Sequence, residues 1–148
     1  MKSKKKAAPF ISGPEAWFRF AQDDQKVAKI LLEDGPWNMV CFHAQQGSEK
    51  ALKAFLRERS GDVPRVHSLG KLIEICAKTD RTFLRLKSIA LSLDRYYIPT
   101  RYPEAAPGSL PEGLPDKSDA KQSVRDMQKI LRHVRIRVKG SIRGPLGF

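Results

Sequence analysis

The chain has 148 residues and a formal net charge of +12, with 28 Lys and Arg against 16 Asp and Glu. That length suits one domain with a real buried core, and no apolar run approaches the roughly 18 residues of a membrane span. The lysine-rich opening from Met1 to Phe10 lacks the apolar core of a secretion signal, so the expected compartment is the cytoplasm.

Much of the basicity sits at the ends. Residues 1–13 carry Lys2, Lys4, Lys5 and Lys6 and no acid. Residues 132–148 carry Arg132, Arg135, Arg137, Lys139 and Arg143 and no acid. Nine of the twelve net charges lie there, leaving +3 for the body. Such ends serve either solubility or attraction to a polyanion. They divide the chain into a basic flexible tail (1–13), a helical bundle (14–139) and a flexible C-terminal tail (140–148).

Periodicity is helical almost throughout, with no alternating strand pattern. A first helix is expected over 14–34, its stripe formed by Trp17, Phe20, Ala21, Val27, Ala28 and Leu31. Asp24 lies inside that stripe, so its carboxylate is either partly buried with a partner or lines a polar cleft. Gly35-Pro36 ends this helix and starts the next, and so short a link demands an antiparallel hairpin. Helix two is expected over 37–59, burying Cys41, Ala44, Ser48, Ala51, Leu52 and Phe55. Gly47 stands mid-helix at a cost of about 1 kcal/mol relative to Ala, which a close helix approach would explain.

Ser60 to Pro64 is a break. Leu69, Leu72, Ile73 and Cys76 then predict a short third helix. Asp80 is placed to cap a fourth over 81–96, with Phe83, Leu86, Ala90 and Leu93 inward. A Pro- and Gly-rich stretch through Pro115 reads as a long loop. The last helix starts near Asp116 or Ser118, and its seam is Ala120, Val124, Met127, Leu131, Val134 and Val138. The fold class is all-α, an antiparallel up-and-down bundle of about five helices. Cys41 and Cys76 fall in apolar faces without metal-type spacing and read as buried thiols.

Between the fourth helix and the long loop, residues 97 to 103 read Tyr-Ile-Pro-Thr-Arg-Tyr-Pro. The prolines stop the helix and hold Arg101 between Tyr97 and Tyr102, where its guanidinium could grip a phosphate or stack on a ring. Asp94, one turn earlier, is placed to pair with Arg101. On helix two, His43, Gln46 and Lys50 share a stripe at spacings of three and four, with Gln45 and Glu49 alongside. This stripe either sets helix register through hydrogen bonds or lines a ligand, and Lys50 or Gln46 could neutralise Asp24. His67 precedes helix three, where capping or packing at the bundle end would be the plain role. No phosphate-cradling glycine loop, H-E-x-x-H, nucleophile elbow, CxxC or cofactor motif occurs.

Taken in order, three strings resemble the HEPN domain family, of the type associated with minimal nucleotidyltransferases. They are Phe42-His-Ala-Gln-Gln-Gly-Ser-Glu-Lys-Ala-Leu-Lys-Ala54, His67-Ser-Leu-Gly-Lys-Leu72 and Leu93-Asp-Arg-Tyr-Tyr-Ile-Pro-Thr-Arg-Tyr-Pro103, with Asp24 fitting as well. Gly47 departs from the alanine common in that helix. The resemblance implies a homodimer that partners a separately encoded minimal nucleotidyltransferase and binds a nucleotide or RNA in a polar groove, with no membrane and no cofactor. The positions it maps for ligand binding are Asp24, Gln46, Glu49, Lys50, His67, Asp94, Tyr97, Arg101 and Tyr102.

Some members are ribonucleases using an Arg followed by four to six residues and then His. Here Arg19 is the nearest arginine before His43. Arg65 and Arg59 precede His67 by one and seven intervening residues, and Arg125 precedes His133 by seven. The motif is missing, so a non-catalytic role is expected. The alternatives are a ribonuclease or toxin with a non-standard pair such as His67 and Arg101, and a basic RNA-binding bundle.

Overall fold

The computed structural model describes residues 12–98, 102 and 113–138. The two tails, Arg101 and most of the Pro-rich loop lie outside that range. Among the described residues, five α-helices form an all-α bundle: α1 (Gly13–Leu31), α2 (Trp37–Ser60), α3 (Leu69–Ala77), α4 (Lys87–Asp94) and α5 (Lys117–Arg135). A 3₁₀ helix, Arg81–Leu86, leads into α4. The most extensive packing is between α1 and α2, with α5 laid against α2.

Local chemistry explains the boundaries. Pro14 stands in the first turn of α1, and α2 ends at Gly61, whose φ of 80° provides a left-handed cap. Asp116 and Asp119 form a reciprocal capping box that opens α5. Asp80 caps the fourth helical segment by accepting the Thr82 backbone N–H at 3.0 Å. The single helix expected over 81–96 is instead a 3₁₀ turn followed by α4. The tighter winding stacks residues three apart, which keeps both Phe83 and Leu86 on the core side.

The predicted faces of α2, α3 and α5 are all buried. That of α1 is not. Phe20 is 54% exposed and Val27 37%, while the helix buries Phe18, Ala21, Asp24, Gln25 and Ala28. Two apolar rows run side by side on α1, and the row containing small residues wins because α2 approaches so closely. The close approach is made at Gly47. A Cβ there would lie 2.9 Å from Met127 Sδ on α5, 3.2 Å from Asp24 Cβ and 3.3 Å from the Ala21 carbonyl on α1. Glycine at the crossing of three helices therefore sets how deep Asp24 sits.

Both cysteines are buried and free. Burial pushes the Cys41 thiol up to about 11 and the Cys76 thiol up to about 12.

Candidate polar groove along helix two

The buried Asp24 carboxylate is fully engaged. Its Oδ1 lies 2.8 Å from His43 Nδ1, and its Oδ2 accepts from Lys50 Nζ at 2.7 Å. A carboxylate only accepts, so His43 Nδ1 carries the proton of that contact and Nε2 is left as the basic nitrogen. His43 and Lys50 lie seven residues apart on α2, two turns of one face. The spacing legible in the sequence thus brings both donors to one acid on the neighbouring helix.

A second set repeats the chemistry one turn around α2. Lys53 Nζ donates to Glu49 Oε2 at 2.9 Å, and His67 Nδ1 meets the same oxygen at 3.1 Å. Lys53 also lies 5.8 Å from the Trp17 ring centroid, in cation–π range. Glu49 is 7% exposed, yet its Oε1 is buried without a hydrogen-bond partner among the described residues. An orphaned carboxylate oxygen in that position is costly and accepts any donor offered to it. Between the two sets, Gln46 Nε2 donates to Gln45 Oε1 at 2.7 Å, and Gln45 Nε2 reaches the His67 carbonyl at 3.3 Å. Gln46 therefore reaches the His67 end through Gln45 and does not touch Asp24, whose lysine partner is Lys50.

The exposed His67 ring stacks on Tyr97, with centroids 5.5 Å apart and planes 24° from parallel. His67 is not the cap of α3; Ser68 is, accepting from Lys71 N at 3.3 Å. Asp94 turns to the same helix end. Its Oδ1 accepts from Leu69 N at 2.7 Å, and its Oδ2 accepts from Gly70 N at 3.0 Å and Ser68 Oγ at 3.1 Å. These contacts satisfy donors at the start of α3 that the helix itself leaves open. Asp94 thereby clamps α4 to α3 and holds Tyr97 beside His67. The expected Asp94–Arg101 pairing falls on a residue outside the described range, and Tyr102 is exposed.

The structure thus gathers Asp24, Gln46, Glu49, Lys50, His67 and Tyr97 along one polar strip, with Asp94 beneath it. His43, Gln45 and Lys53 belong to the same network. All three stood in the helix-two string, but only the position of α1 and of His67 shows what they hold. Exposed Phe20 and Val27 lie one turn to either side of Asp24 on α1 and give the strip an apolar border.

Residues 14–137 match the model of the HEPN domain, and the chain belongs to that family. Among solved structures, it resembles TT1696 from Thermus thermophilus with a TM-score of 0.74 and 31% identity, covering 84% of this chain and 98% of that one. ST0689, described as an archaeal HEPN homologue, gives a TM-score of 0.68 at 28% identity, covering 87% of this chain and 100% of that one. A curated relative from Methanocaldococcus jannaschii, named "Putative toxin MJ1304", is 29% identical over 130 residues, spanning 82% of this chain and 85% of its own length.

Proposed function

We propose that this chain is a HEPN module that binds a nucleotide or a nucleic acid in the polar groove of α2, without catalysing a reaction itself. It acts as a homodimer and presents that ligand to a separately encoded minimal nucleotidyltransferase, in a system of the toxin–antitoxin kind. The observation that carries the reading is the paired arrangement on α2. Two carboxylates each hold an imidazole and a lysine, and the second keeps a buried oxygen open. Lysine offers a point charge to a phosphate. Glu49 Oε1 would accept from an exocyclic amine or a ribose hydroxyl, and Tyr97 with His67 offers a flat surface for a base. The apolar strip of Phe20, Val27 and Ile30 on α1 supports contact with a second copy. In a fluorescence titration with a labelled mononucleotide and a short RNA, Lys50→Ala should weaken binding about tenfold or more while the helical signal is unchanged. No binding by the wild type, or equal binding by the variant, would overturn the reading.

A second reading, ribonuclease action, draws on His43 and His67. Each has Nδ1 on a carboxylate and an Nε2 without a partner among the described residues, a disposition suited to acid–base transfer. Incubation of total RNA with wild type beside His67→Ala decides it: cleavage by the first alone establishes the activity, and intact RNA in both removes it.

A further inference from the structure

The segment from the 3₁₀ helix through α4 buries Phe83, Leu86, Ala90, Leu93 and Tyr96 and turns a different row outward. Leu84, Ser88, Leu91, Arg95 and Ile98 follow one another at steps of four and three, and all five are exposed. Leu84 is 46% exposed, Leu91 52% and Ile98 49%, so these are not the edges of core side chains. Single aliphatic groups on a surface need no explanation, but a row at helical spacing is the pattern by which one helix receives another. The row is held in place from behind. Leu91 lies against Gly70 of α3, where a Cβ would come within 2.9 Å of its Cδ2, and Lys87 pairs with Glu74 of α3.

The charge of this row is positive and unanswered. Glu74 is taken up by Lys87, and Asp94 accepts from the start of α3. Arg81 and Arg85 are exposed and make no ion pair among the described residues. Arg95 donates to the Ser92 carbonyl and the Tyr96 hydroxyl, not to a carboxylate. The exposed row of α1 has the opposite character. Phe20, Asp23, Val27 and Ile30 are exposed at steps of three, four and three, and exposed Asp34 follows four residues on. Arg19, Lys26 and Glu33 run along one side of it. Neither Asp23 nor Asp34 has an ion pair among the described residues. Among those residues α1 and α4 do not touch, so the two rows cannot satisfy each other within one copy.

We infer that the α4 row of one copy receives the α1 row of a second copy. Laid antiparallel with Phe20 against Ile98, the equal steps set Asp23 against Arg95 and Val27 against Leu91. Ile30 then meets Ser88, the small side chain of its row, and Asp34 falls at the end formed by Leu84 and Arg85. The paired stretch is about 21 Å long at 1.5 Å per residue. Pairing like with like is worse: two α4 rows bring arginines together and two α1 rows bring aspartates together, and like charges across an interface are unfavourable. This pairing rests on the self-association proposed above and names the two surfaces that make it. Reciprocal use of both rows closes a pair, while one-way use leaves a free row at each end and extends a chain.

Sedimentation velocity of the full chain tests the pairing with two single variants at exposed positions, Val27→Asp and Leu91→Asp. Each spoils one row and keeps the other. Each alone should associate about tenfold or more weakly than wild type, and an equimolar mixture should recover a complex of the two. Arg95→Asp should weaken association as well, and adding Asp23→Arg to it should restore association, which excludes misfolding as the cause. A wild type that associates while only Val27→Asp fails, or only Leu91→Asp fails, shows like rows meeting; self-association then stands and this pairing falls. Variants that do not recombine on mixing, or a charge swap without rescue, overturn it too. A monomeric wild type removes self-association and this pairing with it, and leaves the nucleotide groove to its own test.

Discussion

Gly47→Ala sets two effects of opposite sign against each other. In a solvent-exposed helix interior the change would stabilise the chain by about 1 kcal/mol through lower backbone entropy in the unfolded state. Here the new methyl meets Met127 Sδ at 2.9 Å, Asp24 Cβ at 3.2 Å and the Ala21 carbonyl at 3.3 Å. Methionine is adaptable, but Met127 is fully buried, and the other two contacts lie on or next to the α1 backbone. Escaping Met127 by moving α2 does nothing for α1, so α1 must be pushed away. Overpacking of this kind costs about 1 to 3 kcal/mol. The net expectation is a loss of up to about 2 kcal/mol, read as a fall in the urea midpoint on the order of half a molar or more at unchanged slope. Because Asp24 moves with α1, nucleotide binding should weaken as well. A Gly47→Ala variant more stable than wild type by about 1 kcal/mol would refute the three-helix contact and the depth assigned to Asp24.

Asp94→Ala should cost about 1 to 2 kcal/mol by stripping acceptors from the start of α3. Hydrogen exchange at Leu69 and Gly70 should accelerate in that variant ahead of the α2 core. Asp80, normally near 3.8, is held at about 2 in the fold, so its stabilisation is complete above pH 4 and lost as pH falls towards 2. The stability gap between wild type and Asp80→Asn should therefore close over that window in acid titrations followed by circular dichroism. His133 has the opposite charge and a lowered value, so the fold opposes its protonation. Stability contributed by its neutral form is present above about pH 6.5 and declines below it, a slope that His133→Gln should flatten. The native thiols of Cys41 and Cys76, pushed up to about 11 and about 12, should resist alkylation at pH 8 and react once urea unfolds the chain.

Most of the bundle was legible because its determinants are local or strictly periodic: the Gly35-Pro36 link, the Asp116 cap, and the seams of α2, α3 and α5. The rotation of α1 was not, because Phe20 and Val27 are as apolar as Phe18 and Ala28, and only the closeness of α2 selects between the rows. In the groove, spacing was enough to align His43, Gln46 and Lys50. It could not show that His43 would join Lys50 on Asp24, or that His67, arriving from eighteen residues beyond Glu49, would share an oxygen with Lys53. The role of Asp94 at the start of α3 had no signal in the sequence. Its carboxylate reaches back to residues 68–70, and a contact over that separation leaves no periodic trace. The cluster of Asp80, Thr82, His133 and Arg137 joins segments more than fifty residues apart and left none either.

Three histidines occur in the chain, two in the groove and one at the end of α5, so their ring resonances report on the two regions separately. Titration of the intact protein with a nucleoside monophosphate, beside inorganic phosphate at the same concentration, is the most direct test of the groove. The nucleotide should move His43 and His67 in the wild type and leave them still in Lys50→Ala, while inorganic phosphate leaves them largely unmoved. A nucleotide that shifts neither, or no more than phosphate does, would contradict nucleotide recognition along α2.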